Sequence, residues 1–446
     1  MRKIARDLRG PTITRLPWRT KTVALSVLTV LCLAVPLSLG AQEQPSAESD
    51  SRSLWSRLKD GKISANIRYR FEAFERDGAP YTAPAYAPTL RLALGYETAS
   101  FRGFSVFAQG EAVIVTGPAD YSVPTLPSQN RPDRPAILDP KSLELSQGFL
   151  KWTHGFSDKK LALTVGRQEI TLNDGRFLSV SQWRQVHGSF DAAKLDADLP
   201  MNFSVTYAFI NRTYRVVGYK ATDGQAPMHT HMMNLVWNKP DRVRVALYGL
   251  LLDFRSPAQF TSSTQTYGLR ATGPYKFNKT WSLLYSAEFA KQKNYGSNPN
   301  RVDANYYLGE LGPGWHSFSF KAGYALLGGH SVTDKLSTPL APPFNGWSDL
   351  FINNPSAGGG NGLDARYLTA SGPLRFLGGT TATVTYYDYY SDSFHVHYGK
   401  EFDSALAYKI KRISNRWEIG WRFARYWADH LFTPAVRTSI YTSFTL

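Results

Sequence analysis

The sequence predicts an all-β protein: a transmembrane, antiparallel, up-and-down β-barrel of about 18 strands, with about 16 as the fallback and both termini periplasmic. Three observations lead there. Apolar and polar residues alternate over stretches of about ten residues, and the connections between these stretches alternate long and short. The chain also opens with an export leader, after which no apolar run reaches the ~18 residues that a spanning helix needs.

The leader comes first. Arg2, Lys3, Arg6, Arg9, Arg15, Arg19 and Lys21 stand against Asp7, and Val23 to Leu39 is almost wholly apolar. A basic stretch, a short apolar run and a small-residue exit make residues 1–40 a signal peptide, cleaved near Gly40 or Ala41. Cys32, the chain's single cysteine, leaves with it, so the mature protein has no disulfide and no thiolate metal site. Residues 41–61 then form a short periplasmic segment, and residues 62–446 form one barrel domain.

The strands follow in order. Ile63, Ala65, Ile67, Tyr69, Phe71 and Ala73 share one face, opposite Asn66, Arg68, Arg70 and Glu72. The same period recurs at Leu90–Tyr96, Phe203–Phe209, Trp281–Phe289, Phe318–Tyr324 and Trp417–Phe423. Strands are expected at 62–73, 88–99, 102–116, 143–153, 160–168, 183–198, 201–211, 230–238 and 241–253. A second set is expected at 264–273, 279–291, 301–311, 315–326, 363–373, 380–390, 401–411, 415–426 and 437–446. About ten residues, at roughly 3.3 Å each and tilted near 45°, cross a bilayer. A soluble sandwich would use shorter strands with a uniformly water-facing polar side. Here the polar faces mix Arg and Glu with Gly, Ala and Ser, which suits a wet lumen, while Trp, Tyr and Phe end the apolar faces as interfacial girdles do. The long connections 116–141, 211–229 and 327–362 fall on one side; the short ones near 154–159, 239–240 and 312–314 fall on the other. Ile440, Thr442, Phe444 and Leu446 alternate up to the carboxyl end, a pattern suited to recognition by the outer-membrane barrel assembly machinery.

Charge narrows the function. The chain carries 51 Lys+Arg against 35 Asp+Glu, and it stays basic once the leader is removed. By parity the lumen receives Arg68, Arg70, Arg91, Arg242, Arg244, Arg270, Arg416 and Arg422. Glu72, Glu97, Glu111, Asp191, Glu288 and Glu418 face inward as well, as partners that hold the arginines in place. Rings of arginine select anions, and a basic tube lowers the cost of moving a polyacid past a low-dielectric wall. Enzymatic chemistry is thin: no phosphate-binding glycine loop and no serine elbow is present. His229/His231 and His395/His397 have one-face spacing on a strand but lack a third metal ligand. No cofactor, metal or nucleic acid is expected.

Four local patterns resemble the alginate export family of outer-membrane β-barrels. They are Asp139-Pro140 with Glu144, Leu145 and Gln147; Gly166-Arg167-Gln168 with Asp174 and Arg176; Trp183-Arg184-Gln185 with Phe190-Asp191-Ala192; and Phe344 through Phe351 with Gly362-Leu363-Asp364. The resemblance adds Arg167 and Arg184 to the lumen set. It marks Gln168, Asp174, Arg176, Trp183, Asp349 and Asp364 as motif positions. It implies a monomeric, lipid-embedded conduit for anionic polysaccharide, possessing a basic constriction and served by a periplasmic secretion scaffold. Two alternatives stay open: an uptake porin for small acidic solutes, and a hydrolase built into a barrel. Residues 327–362 are long enough to fold inward as a plug or lid.

Overall fold

The computed structural model describes residues 59–340, 345–352, 354–411 and 416–446. The leader, most of the segment 41–61, and Phe344 of the last motif lie outside the described residues. Eighteen long strands make the wall: β1 (Lys62–Arg76), β2 (Ala85–Glu97), β3 (Phe104–Val115), β4 (Ser142–Phe156), β5 (Lys159–Gln168), β6 (Ser189–Asp198), β7 (Phe203–Tyr214), β8 (Gln225–Lys239) and β9 (Val243–Leu252) form the first half. The second half is β10 (Thr264–Thr272), β11 (Trp281–Asn294), β12 (Asp303–Trp315), β13 (Phe318–Leu327), β14 (Leu363–Leu374), β15 (Thr380–Tyr390), β16 (His397–Lys409), β17 (Trp417–Ala428) and β18 (Ala435–Thr445).

Each strand pairs antiparallel with its sequence neighbour, and β1 pairs with β18 from Asn66↔Thr445 to Arg76↔Ala435, which closes the barrel. Closure leaves no unpaired edge, the condition a sheet must meet in lipid. The period-two pattern sorts the faces. On β1, Ile67 and Tyr69 are exposed while Arg70, Glu72 and Phe74 are buried. On β3, Phe104, Val106 and Ile114 are exposed while Glu111 and Val113 are buried. Trp281 on β11 lies against Trp315 on β12, tilted by 37° with centroids 6.3 Å apart, as part of an aromatic belt at the short-turn end. Both Lys62 and Leu446 lie at that end, where the Leu446 amide donates to the Ala65 carbonyl at 2.8 Å.

Several boundaries differ from the expected ones. The strand expected from residue 183 begins at Ser189, because residues 182–187 bond to β1, β2 and Asp139 instead of to a ladder. The turn expected at 312–314 lies at residues 316–317. Pro313, which has no N–H to give, sits where the β12–β13 ladder is interrupted between Leu311↔Ala322 and Gly314↔Ser319.

Two of the long connections turn into the barrel. Residues 169–188 insert Phe177 against Tyr248 (5.9 Å) and edge-on to Tyr306 (5.5 Å). Residues 328–362 insert Phe351 against Tyr389 (4.4 Å), Tyr426 and Phe432. The Ser179 amide donates to the Leu340 carbonyl at 2.9 Å, joining the two loops. The main buried apolar cluster, including Leu178, Leu336, Phe351 and Tyr426, therefore lies at the long-loop end of the barrel interior.

Candidate functional site

The site forms where these loops meet the wall. β1 presents Arg68, Arg70 and Glu72 inward at successive alternate positions, and β18 presents Arg437 beside them. Arg68 donates to the side-chain oxygen of Gln185 at 2.9 Å and to the carbonyls of Gln182 (3.0 Å) and Arg184. Arg70, fully buried, pairs with Asp139 and lies 3.2 Å from Glu72, and it also donates to the Trp183 carbonyl. Asp139 in turn accepts from the Gln185 amide at 2.9 Å. Arg437 pairs with Glu72 and, at 2.5 Å, with Asp349, while Arg184 pairs with Asp349 and lies 3.7 Å from Glu72. Burial alone would weaken the charge of Arg184, but the Asp349 and Glu72 carboxylates outweigh it and push its pKa above the usual arginine range. Both inward loops are thus tied to one wall by a continuous chain of buried charge. Breaking one member of such a chain costs about 3–5 kcal/mol, because it strands its partner.

Residues 345–351 add a second anchor. The amide of Ser348 donates to Glu401 at 2.8 Å, its hydroxyl to the other oxygen of Glu401 at 2.7 Å, and the Trp347 amide to Asp403 at 3.1 Å. Gly346 makes this approach feasible. Its φ is +82°, and a Cβ there would stand 2.4 Å from a Glu401 carboxylate oxygen.

Loop 169–188 also reaches the far wall. Asp174 pairs with Arg270 at 2.9 Å, and Arg270 pairs with Glu288, which accepts from the Tyr248 hydroxyl at 2.6 Å. Arg244 approaches the side-chain oxygen of Asn173 at 3.4 Å, and Arg176 lies 5.3 Å from the Tyr306 ring. At β2 and β3, Arg91 pairs with Glu111 at 2.5 Å, and Glu111 accepts from the His187 amide at 3.1 Å. One loop therefore bridges the lumen from the β9–β12 wall to the β1–β2 wall.

Arg422 on β17 differs from these. Its guanidinium sits 3.6 Å from the Trp183 centroid and 5.1 Å from that of Trp347, with Arg70 on Trp183 as well at 4.4 Å. Among the described residues, no carboxylate comes within ion-pair distance of Arg422. It lines a cavity of about 90 Å³ together with Trp183, Trp347, Asp349 and Arg437.

Four expected lumen residues lie elsewhere. Arg167 is opposite Gly148 and next but one to Val165, which is exposed, so the β4–β5 register turns it to the outer wall. There it pairs with Asp191 at 2.9 Å, which leaves the lumen with it, and lies 3.6 Å from the Tyr214 centroid. Arg242 and Arg416 lie exposed in turns at the short-turn rim, Arg242 over Tyr275 at 4.4 Å, because the strands end before reaching them. Glu97 and Glu418 stay on their strands, accepting from Ser105 at 3.3 Å and Tyr441 at 2.9 Å. Gln168 is buried and donates to the Ala192 carbonyl at 3.1 Å, and Asp364 pairs with Arg366 at 2.9 Å. Arg437, Glu401 and Asp403 were missed as site residues. All three follow from parity once the strand faces are set: Arg437 lies on the buried face of β18 with Ser439, and Glu401 and Asp403 share the buried face of β16.

Comparison with known proteins places this geometry. The alginate export family model matches residues 62–330. No curated protein matches the sequence significantly. Among solved structures, the fold is similar to OccK9 (OpdG) of Pseudomonas aeruginosa, with a TM-score of 0.67 at 15% identity over 87% of this chain and 99% of that one. OccAB2 of Acinetobacter baumannii gives 0.66 at 14% identity over 88% and 99%. OpdK of Pseudomonas aeruginosa, solved with vanillate, gives 0.63 at 13% identity over 87% and 99%.

Proposed function

Because the chain belongs to the alginate export family, and so forms an outer-membrane channel, we propose that it passively conducts acidic saccharides of the polyuronate type, with Arg422 as the cation the solute meets. The long-loop end faces outward and the short-turn end faces the periplasm, as in barrels of this kind. One observation carries the reading. Arg68, Arg70, Arg91, Arg184, Arg270 and Arg437 bond to loops and carboxylates, whereas Arg422 is held by indole faces with its donors uncommitted to any carboxylate. A guanidinium so held keeps its direction without being neutralised. A carboxylate passing it gains attraction, and that attraction stays weak enough for release. The carboxylates around it, Glu72 and Asp349, are held by Arg437 and Arg184 and so repel the solute less.

A second reading, passage of small organic acids, draws support from the similarity to OpdK, a protein solved with vanillate. Planar-bilayer recording separates the two. Wild type should show anion preference, blocked by polyuronate but not by neutral dextran of similar size. Block by small acids alone would favour the second reading. Arg422→Ala should move the reversal potential toward that of an unselective pore, and an unchanged reversal potential would refute the assignment of Arg422.

A further inference from the structure

A separate constellation lies at the long-loop rim of the wall, around the ends of β3 and β4 and the loop that follows β7. Ala112 and Ile114 of β3 and Leu143 of β4 face outward, and Leu143 is 76% exposed. Above them the chain leaves β3 at Val115 and returns at Ser142, so the ladder stops while the apolar face continues. Leu126 of loop 116–141 and Tyr219 of loop 215–224 close over this gap and leave a groove of about 520 Å³. That volume is the size of a ligand pocket, far beyond a packing defect. The two loops are joined rather than merely adjacent. The Thr222 amide and hydroxyl both donate to the Thr125 carbonyl, at 2.9 and 3.1 Å, and the Tyr219 amide donates to Glu144 at 3.0 Å.

The chemistry of the lining is divided. Its floor is apolar, while Lys141 and Lys220 border it, both exposed. Glu144 is the one acidic side chain in the lining, and the Tyr219 amide occupies one of its oxygens. Below, on the same outer face, Arg167 donates to the Leu145 carbonyl at 3.0 Å, and Arg212 stands opposite Asp191. Cations therefore outnumber acids around a greasy slot whose Ala112, Ile114 and Leu143 side faces outward.

We infer that this groove binds a phosphorylated lipid of the outer leaflet, with an acyl chain on the Ala112, Ile114 and Leu143 floor and its phosphate between Lys141 and Lys220. The apolar floor disfavours a water-soluble polyanion, and the two ammonium groups select for phosphate over a neutral headgroup. Placing the site in the outer leaflet rests on the orientation proposed above; the binding itself does not.

Native mass spectrometry of the full barrel in neutral detergent tests it, using diphosphoryl lipid A, its dephosphorylated counterpart and inorganic phosphate as probes. The barrel should retain one diphosphoryl lipid about ten-fold more tightly than the dephosphorylated one. Lys141→Gln/Lys220→Gln should abolish that preference, and Leu143→Trp, which fills the slot, should weaken retention of both lipids. Heat-dependent gel mobility reports that each variant is folded. Equal retention of the two lipids, a preference that survives the double substitution, or displacement by millimolar inorganic phosphate would overturn the inference. None of these outcomes bears on ion selectivity, so the channel reading stands or falls separately.

Discussion

Arg437 touches both Glu72 and Asp349, and through Asp349 it meets Arg184. Replacing it by methionine keeps much of the volume but leaves two buried carboxylates short of a partner. A loss of about 3–5 kcal/mol is expected, read as a lower unfolding temperature and as flickering of the single-channel current. Gly346→Ala should give the same flicker for a different reason: its Cβ collides with Glu401 and lifts residues 346–348 off their anchor. A quiet trace from Gly346→Ala would show that the anchor does not hold the loop. At this scale the sequence was partly legible. Arg68, Arg70, Arg91, Arg270 and Arg422 follow from alternation, and the structure places each inside the barrel. Arg167 was assigned by motif against its own parity, since Leu163 and Val165 precede it at alternate positions on an exposed face. The register, not the motif, decides where a strand residue points.

The elements divide into wall and loops. Strands were readable because a period of two needs only local sequence, and each face must match one solvent along its whole length. The inward path of residues 169–188 was not readable. The segment has no period, and its partners are remote in sequence: Arg70 lies 113 residues from Trp183, and Asp349 lies 165 residues from Arg184. The length of the connection 328–362 suits an inward fold and an exposed loop equally, and only remote packing, such as Phe351 on Tyr389 and Leu340 on Ser179, draws its described residues inward. Because loop 169–188 crosses the lumen between two walls, replacing residues 171–187 by a short glycine-serine linker should raise single-channel conductance several-fold while anion preference, carried by Arg422 on the wall, is kept. If conductance rises and anion preference is lost, the selecting charges sit on the loop instead.

For the molecule as a whole, orientation can be tested with one residue. Val332, 53% exposed in loop 328–362, stands in a chain whose single cysteine is Cys32. In a Cys32→Ser background, Val332→Cys supplies the one thiol, and a membrane-impermeant maleimide should label it in intact cells. Labelling only after the outer membrane is opened would invert the proposed orientation and move the lipid groove to the inner leaflet.

The pairing of β1 with β18 has a consequence for how this barrel is made. The first strand to emerge finds its second neighbour only in the last, 378 residues further on at the Asn66–Phe444 contact. Until then one row of peptide groups on β1 has nothing to bond to, and hydrocarbon cannot supply it. No growing fragment can therefore be left in the bilayer to wait; the nascent wall has to be shielded until its final strand arrives, and a frameshift near the end is as damaging as one near the start.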